Sequence, residues 1–368
     1  MSLVDELDRL TGPGDLGESL DDKTVRCQAC AHTCLIREGQ RGICNIRFNR
    51  GGELQVPWGY VTSLQVDPIE KKPFYHFLAG SDALTFGMLG CNLHCDYCQN
   101  WLTSQALREK GTDRLAGIIR ELSSDEIIRH GMQSGAEVVA SSYNEPLITS
   151  EWAREIFIKA GQAGLKQVYI SNGFATKTVL DYLKPVLQGF KVDLKTMQED
   201  HYRDLGGRLK PVLDSIQYAH QQGLWVEIVT LIVPGFNDSS SELAEIAGFI
   251  KSVSKNIPWH VTAFRPDYKM TDKPRTSAAQ LLKAVEIGKK QGLNYIYAGN
   301  MPGGVGEFED TFCHNCQSSL IKRQGYLIKE YRITSEGTCP DCETSIPGVW
   351  TKHPDQINTS GFGFPRMI

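Results

Sequence analysis

Short apolar runs alternate with longer amphipathic segments from about residue 83 to residue 299. Runs such as ALTFGML and WVEIVTLIV have the length and apolar character of buried strands. Between them, apolar residues recur every three or four positions, which is typical of one face of a helix. The pattern predicts strands at 83–89, 136–143, 166–171, 189–194, 225–233, 259–264 and 294–299. It predicts helices at 124–135, with Ser124 as N-cap, and near 149–164, 176–187, 208–222, 240–254 and 277–290.

Repeated strand–helix units predict an α/β fold with a parallel sheet, because each helix returns the chain to the same end of the sheet. Such a sheet is either doubly wound or curled into a complete or partial barrel. Seven strands favour a partial (β/α) barrel of the TIM type over a full barrel of eight. We predict four parts: an N-terminal segment (1–23), a cysteine-rich N-terminal subdomain (24–80), the partial barrel (81–308) and a zinc-ribbon-like C-terminal subdomain (309–368).

Polar residues follow the predicted strands at the points where the strands end. In parallel barrels these ends share one rim, and that rim carries the chemistry. Each such residue also has an ordinary structural explanation. Asn144-Glu145 could form a turn, Asp193 could cap the N-terminus of a helix, and His260 could be a core histidine with its hydrogen bonds satisfied. Their joint placement favours a functional rim, formed by Cys91 to Cys98, Asn144, Glu145, Asn172, Asp193, Lys195 and His260.

The charge balance narrows the possible partners. The 368 residues include 39 Lys and Arg and 43 Asp and Glu, which gives a net charge of −4. Without a uniform positive field, general binding to a nucleic-acid backbone is not expected, and an RNA substrate would need a local basic patch. The sequence shows no apolar run of about 18 uncharged residues, and its start, MSLVDELDRL, lacks the features of a secretion signal. We therefore expect a cytoplasmic protein without a membrane-spanning segment.

Eleven cysteines without a secretion signal favour metal binding over disulfides. They form three sets. The C-terminal set is a pair of C-x2-C knuckles, a spacing typical of a structural zinc site, with rubredoxin-like iron as a lesser alternative. The N-terminal set, C-x2-C-x3-C-x9-C with His32 inside it, is compatible with zinc or with an iron–sulfur cluster. The two sets are Cys313, Cys316, Cys339, Cys342 and Cys27, Cys30, Cys34, Cys44.

The middle set has only three cysteines, Cys91, Cys95 and Cys98. Three thiolates on a [4Fe-4S] cluster leave one iron without a protein ligand, and an open position on a metal is where a substrate or cofactor binds. The alternative is a zinc site completed by His94, because histidine is an ordinary zinc ligand.

The string GCNLHCDYCQN resembles the C-x3-C-x2-C loop of the radical S-adenosylmethionine (SAM) enzymes, with Tyr97 as the aromatic residue before the last cysteine. The stretch DPIEKKPFYHFLAGSDALTFGML before it, and YNEP, SNG and VDLK after it, resemble the pyruvate formate-lyase activating enzymes. CxACxHTCxI, GICNIR and WHVTAFRP extend the resemblance to the radical SAM enzymes of the AmmeMemoRadiSam system, over about residues 24–368.

This resemblance implies a partial TIM barrel in which Cys91, Cys95 and Cys98 hold a [4Fe-4S] cluster, whose fourth iron is chelated by the amino and carboxylate groups of SAM. Glu145 occupies the family's Gly-Gly-Glu position, near the SAM amino group, although Tyr143 and Asn144 replace the glycines. By the same resemblance, Tyr97 lies along the adenine, Asp193 and Lys195 match a D-x-K motif near the carboxylate and ribose, and His260 matches a late-strand histidine. The implied SAM-binding set is Tyr97, Asn144, Glu145, Asn172, Asp193, Lys195 and His260.

The leading hypothesis is an enzyme that cleaves SAM reductively and abstracts hydrogen from a substrate. A protein or peptide substrate is favoured, because the activating enzymes act on glycyl radical enzymes, and an external one-electron donor such as ferredoxin or flavodoxin is required. A small molecule or RNA is the alternative substrate. A non-catalytic zinc-ribbon protein, which binds nucleic acid or a partner, is the alternative outside enzymes.

Overall fold

The N-terminal region forms small antiparallel sheets outside the central sheet. It contains helix α1 (Leu3–Arg9) and strands β1 (Thr11–Pro13), β2 (Gly17–Ser19), β3 (Val25–Cys27), β4 (Leu35–Ile36), β5 (Phe48–Arg50), β6 (Glu53–Pro57) and β7 (Tyr60–Val61). One sheet has the order β1-β6-β5 and another β2-β3-β4. The N-terminal cysteines lie in this region, on the hairpin that joins β3 to β4 and in the loop that follows β4.

A nine-stranded sheet forms the centre of the computed structural model, which describes residues 2–20, 23–109, 111–359 and 366–367. The first two strands of this sheet along the chain, β8 (Ser63–Pro68) and β9 (Asp82–Gly87), form an antiparallel pair. Strand β10 (Arg120–Glu121) lies outside this sheet and pairs with β7. From β9 onward the pairing is parallel and follows chain order through β11 (Val138–Ser141), β12 (Lys166–Ser171), β13 (Gly189–Asp193), β14 (Trp225–Ile232), β15 (Trp259–Ala263) and β16 (Ile296–Gly299). The seven predicted parallel strands and the partial barrel are therefore confirmed.

In the described part of the chain, eight helices separate the parallel strands; six match helices predicted from the apolar periodicity, and the two shortest were not predicted. The helices are α2 (Trp101–Ser104), α3 (Ser124–Ser134), α4 (Ser150–Gln162), α5 (Lys177–Leu183), α6 (Glu199–Asp204), α7 (Leu209–Gln221), α8 (Ser240–Val253) and α9 (Ala278–Gln291). The N-cap of α3 is Ser123, and the prediction of Ser124 is wrong by one residue. The Ser123 hydroxyl accepts from the N–H of Glu126, and the Glu126 carboxylate accepts from the N–H of Ser123, a reciprocal capping box.

Short 3₁₀ turns occupy Ile69–Lys71, Thr112–Ile118, Pro146–Thr149, Gly306–Glu309 and Pro354–Gln356. Among the helices in the described part of the chain, none is both long and apolar enough to cross a membrane.

The C-terminal region is a three-stranded antiparallel sheet of β17 (Thr311–Phe312), β18 (Ser319–Gln324) and β19 (Leu327–Tyr331). Its buried Leu320 and Ile328 pack with Tyr295 and Tyr297 at the end of the barrel. A last strand, β20 (Arg366–Met367), pairs with the edge strand β8. The central sheet thus extends into the regions assigned to both small subdomains, and the four-part division remains a prediction.

A buried ion pair joins the N-terminal region to the barrel. Both terminal nitrogens of Arg47 donate to the Glu151 carboxylate on α4, at 2.7 and 2.6 Å, and each side chain is 1% exposed. Glu151 also accepts from the backbone N–H of Leu16 at 3.2 Å. Because a buried charge is costly without its partner, this pair fixes the N-terminal region against the barrel.

Candidate active site

One cavity of about 380 Å³ opens at the carboxyl ends of the parallel strands. Most of the wall residues lie on or just after a parallel strand, so the short strand–helix connections bring residues that are far apart in sequence to the same rim. The cavity is lined by nine of the predicted residues: Cys91, Cys95, Cys98, Tyr97, Asn144, Glu145, Asn172, Asp193 and Lys195.

The cysteine loop leaves β9 through a backbone turn that favours glycine, since Gly90 has φ 95°. Other loops fix its path: the N–H of His94 donates to the carbonyl of Leu205 at 3.0 Å, and the carbonyl of Asp96 accepts from two N–H groups of the loop after β15. Burial raises the pKa of the Cys95 thiol to about 11. A metal must therefore displace the proton when it binds there, because the thiolate is the ligand.

Polar groups contact two of the three sulfurs. The N–H of Leu93 donates to Cys91 Sγ at 3.4 Å, and the Ser104 hydroxyl lies 3.1 Å from Cys98 Sγ. Hydrogen bonds to cysteine sulfur are one of the means by which proteins set the potential of an iron–sulfur cluster.

His94 does not complete a fourth position among the three cysteines. Its imidazole packs against Gly206, where an added Cβ would lie 2.5 Å from the ring, and it is absent from the cavity lining. This placement argues against a zinc site made by the three thiols and His94.

Glu145 is a buried carboxylate at the cavity wall with three donors. The Ser171 hydroxyl and the Leu147 N–H donate to Oε1 at 2.7 and 3.1 Å, and the Asn172 N–H donates to Oε2 at 2.8 Å. Burial nevertheless raises its pKa to about 7. A carboxylate offers about four acceptor positions, so Oε2 keeps one for a cationic ligand in the cavity.

Charged residues at the end of β13 form a second polar wall. The Asp193 carboxylate accepts from Lys191 and lies 3.6 Å from the Lys195 ammonium. Burial opposes the charge on Asp193, but the two lysines hold its pKa below the usual range. Likewise, the Asp193 carboxylate outweighs burial and holds the pKa of Lys195 well above its usual range. Both groups are therefore charged at neutral pH, and Lys195 offers a cation to the cavity.

The wall also contains residues that were not predicted from the sequence, among them four with polar side chains: Lys191, Tyr143, Lys72 and Tyr326. Lys191 lies two positions before Asp193, so the alternation of strand side chains could have found it. Tyr143 has φ 70°, a conformation that favours glycine, and its hydroxyl donates to the Asp67 carboxylate at 2.6 Å. The other two, Lys72 and Tyr326, come from segments outside the predicted barrel, for which no sequence signal was available.

His260 is separate from this wall. Its Nε2 lies 2.6 Å from Glu227 Oε2, its ring packs edge-on against Tyr75 at 4.8 Å, and it is 2% exposed. Thr262, two residues later on the same strand face, does line the cavity. His260 consequently lies one layer deeper in the barrel, and the structure does not place it where the predicted SAM contact requires it.

The two flanking cysteine sets differ in spacing. The C-terminal sulfurs approach closely, with Cys313 Sγ 3.6 Å from Cys342 Sγ and Cys316 Sγ 3.7 Å from Cys339 Sγ. Across residues 2–20, 23–109, 111–359 and 366–367, this is the one group of Cys, His, Asp or Glu whose ligand atoms all lie within 4.8 Å of one another. The N-terminal set and the middle set do not form such a group among the described residues.

The comparisons with known proteins agree with this site. The profile of the radical SAM superfamily matches residues 86–250. The chain is 37% identical over 332 residues to the uncharacterized protein MJ0808 of Methanocaldococcus jannaschii, covering 89% of this chain and 97% of that protein. It is 25% identical over 202 residues to a pyruvate formate-lyase-activating enzyme of Clostridium pasteurianum, covering 50% of this chain and 80% of that enzyme.

A solved structure has a similar arrangement over part of the chain. A domain of a pyruvate-formate lyase-activating enzyme from Bacteroides vulgatus is 20% identical, with a TM-score of 0.39, and covers 45% of this chain and 100% of that domain. The superfamily match begins at the end of the first parallel strand and includes the three-cysteine loop and the segments that carry Glu145, Asp193 and Lys195. The chain therefore belongs to the radical SAM superfamily, and it is an enzyme rather than a non-catalytic zinc protein.

Proposed function

We propose that Cys91, Cys95 and Cys98 hold the catalytic [4Fe-4S] cluster and that the cavity beside them binds SAM. The residues of the cavity fit the [4Fe-4S] cluster and SAM, the two groups that the superfamily implies. Three thiols line one cavity, and His94 does not line it. When bound, a low-potential cluster supplies one electron to the SAM sulfonium, which gives methionine and a 5'-deoxyadenosyl radical that abstracts hydrogen.

The charged side chains of the wall suit the polar ends of SAM. Glu145 offers a buried carboxylate oxygen to the N–H groups of the SAM amino group, and Lys195 offers a cation to the SAM carboxylate. Opposite charges in fixed positions orient the ligand as well as bind it. Tyr97 and Asn172 line the same cavity. The presence of three thiols, a carboxylate and an ammonium in one cavity is the observation that carries the proposal.

The substrate we propose is a protein or peptide. The cavity shares Gln99, Asn300 and Tyr326 with an adjoining depression of about 490 Å³, whose far wall carries the exposed Arg265 and Arg275. A groove that leads out of the cavity suits an extended segment of a substrate protein, with one residue of that segment inserted into the cavity. The two arginines would pair with acidic residues next to the reacting position.

The test uses hydrogen transfer as its readout. The reconstituted enzyme is incubated anaerobically with SAM, dithionite and fractions of deuterium-grown cells of the same organism, and 5'-deoxyadenosine is analysed for deuterium. Label from the protein fraction supports the proposed substrate. Label only from the RNA or small-molecule fraction overturns the protein assignment, and the absence of SAM cleavage in every sample overturns the catalytic proposal.

We propose zinc for the C-terminal set. Four sulfurs at the corners of a tetrahedron around zinc, with Zn–S of about 2.3 Å, lie about 3.8 Å apart. The separations of 3.6 and 3.7 Å match that value. Cys339→Ser should remove about one zinc per chain and lower the unfolding temperature of the C-terminal region, because metal binding supplies folding free energy.

Metal analysis and thermal unfolding check this zinc prediction, with the iron content and visible absorption of the reconstituted cluster as the control. Iron at this site in anomalous scattering would contradict the metal assignment. An unchanged zinc content in the Cys339→Ser protein would contradict the site.

A further inference from the structure

The N-terminal cysteines converge beneath the catalytic loop. The N–H of Cys27 donates to the carbonyl of Cys34 at 2.9 Å and closes the loop that carries Cys30. The N–H of Ile43, next to Cys44, donates to Cys34 Sγ at 3.5 Å. Cys27, Cys30 and Cys44 are buried, and each interacts electrostatically with at least one of the others. Two loops thus bring four thiols to one site.

The spacing of these four sulfurs differs from that of the zinc-like set. In the described part of the chain, the C-terminal cysteines form a group whose ligand atoms all lie within 4.8 Å of one another, and the N-terminal cysteines do not form such a group. The catalytic cysteines do not form one either. Sulfurs around a single zinc must be close together, whereas sulfurs that bind four different irons are held farther apart by the cluster between them. The N-terminal geometry therefore favours a cluster over a single ion.

Arg47 provides a buried positive charge beside this site. Its guanidinium interacts electrostatically with Cys27 and Cys44, and its terminal nitrogens bind Glu151. The remaining donor, Nε, is buried and has no hydrogen-bond partner among the described residues. A buried donor without an acceptor is costly, and the sulfur of a bound cluster would supply one.

Asn92 connects the N-terminal site to the catalytic one. Its Oδ1 lies 3.8 Å from Cys91 Sγ, and its side chain also interacts with the Cys30 thiol. Its backbone carbonyl lies 2.9 Å from Nε2 of His32, within the N-terminal loop. One amide therefore separates a thiol of the first set from a thiol of the second.

The N-terminal site is also close to solvent on its other side. Leu35 and Ile43, the neighbours of Cys34 and Cys44, are 62% and 49% exposed. The catalytic cysteines instead face the cavity that SAM and substrate would fill. An electron that enters through the N-terminal site avoids that cavity, so reduction need not compete with substrate binding.

We propose that Cys27, Cys30, Cys34 and Cys44 bind a second [4Fe-4S] cluster that relays electrons to the catalytic cluster. The proposal rests on the assignment of the catalytic cluster to Cys91, Cys95 and Cys98. An external low-potential one-electron carrier is oxidised as the second cluster is reduced, and that cluster is reoxidised when it passes the same electron to the catalytic one. No proton or bond is transferred in either step.

The first test measures metal in a protein that lacks the catalytic ligands. The Cys91→Ala/Cys95→Ala/Cys98→Ala variant, reconstituted anaerobically, should keep about four irons and four sulfides per chain, and the added change Cys30→Ala/Cys44→Ala should remove them. Circular dichroism checks that both variants fold. Zinc in place of iron, or no iron in the triple variant, overturns the second cluster. This result does not depend on SAM cleavage, so it remains informative if the proposed function fails.

The second test measures electron transfer. In the Cys30→Ser/Cys44→Ser variant, SAM cleavage driven by reduced flavodoxin should fall at least about tenfold, while cleavage driven by dithionite, a small reductant, should stay within about threefold. The reduced wild-type enzyme should also show spin coupling between the clusters that neither single-site variant shows. Equal rates with flavodoxin before and after substitution, or equal losses with both reductants, overturn the relay.

Discussion

Cys95→Ala is expected to abolish SAM cleavage and to remove the catalytic cluster, the largest effect that any single substitution in this chain should have. The three catalytic thiols face one cavity and His94 is turned away from them, so loss of Cys95 leaves two ligands for four irons. Iron and sulfide content, the visible spectrum and anaerobic formation of 5'-deoxyadenosine measure the effect. We expect the rate to fall by more than about a thousandfold, because the catalytic cluster is the group that passes the electron to SAM.

His94→Ala is the matched control for Cys95→Ala. It changes a neighbouring residue of the same loop, whose ring packs on Gly206 and does not line the cavity. Iron content and SAM cleavage should stay within about threefold of wild type. Loss of metal in His94→Ala together with zinc in the wild-type site would instead support the four-ligand zinc alternative.

The barrel was predictable because its signals are local. Strand runs such as 225–233 and helices such as 240–254 have a clear apolar period, and the structure has β14 at Trp225–Ile232 and α8 at Ser240–Val253. The edge strands β8 and β20 were not predicted. Strand β8 lies before the repeated strand–helix units, and β20 has only two residues. Neither strand therefore belongs to the repeating apolar pattern from which the other strands were predicted.

The site was predictable where residues follow strands and less so where the fold brings distant segments together. Glu145 and Lys195 lie at strand ends, and both line the cavity. His260 also belongs to a strand, but the depth of a side chain inside a barrel depends on register between strands, which a single sequence does not encode. Tyr326 reaches the cavity from the β18–β19 turn, a contact that depends on how the C-terminal region packs on the barrel.

SAM binding should strengthen as the pH rises through about 7, and the reason is the carboxyl group of Glu145. Burial raises its pKa to about 7, so at pH 6 most of the free enzyme carries a neutral carboxyl. The N–H groups of the SAM amino group prefer the carboxylate to the neutral carboxyl, and binding must then release the proton. With this pKa, affinity should increase about tenfold from pH 6 to pH 8 and level off above that range. Calorimetry on the oxidised cluster form, with SAM as titrant, measures it.

Glu145→Gln should flatten this pH profile and weaken SAM binding at pH 8 by about ten- to a hundredfold, the size of a lost charge-assisted contact of about 1.5 to 3 kcal/mol. Lys195→Ala should weaken binding by a similar factor, since it removes the cation that faces the SAM carboxylate, but it should keep the pH dependence. Iron content should not change in either variant.

Glu70→Gln is the matched control for Glu145→Gln, because burial also raises the pKa of Glu70 to about 7, yet Glu70 lies outside the cavity. The pH profile of SAM binding should survive in Glu70→Gln and disappear in Glu145→Gln. A flat profile in the wild type, or a change of less than about threefold in Glu145→Gln, would show that this carboxylate does not contact the ligand. The comparison separates a group that titrates at the site from one that merely titrates in the same pH range.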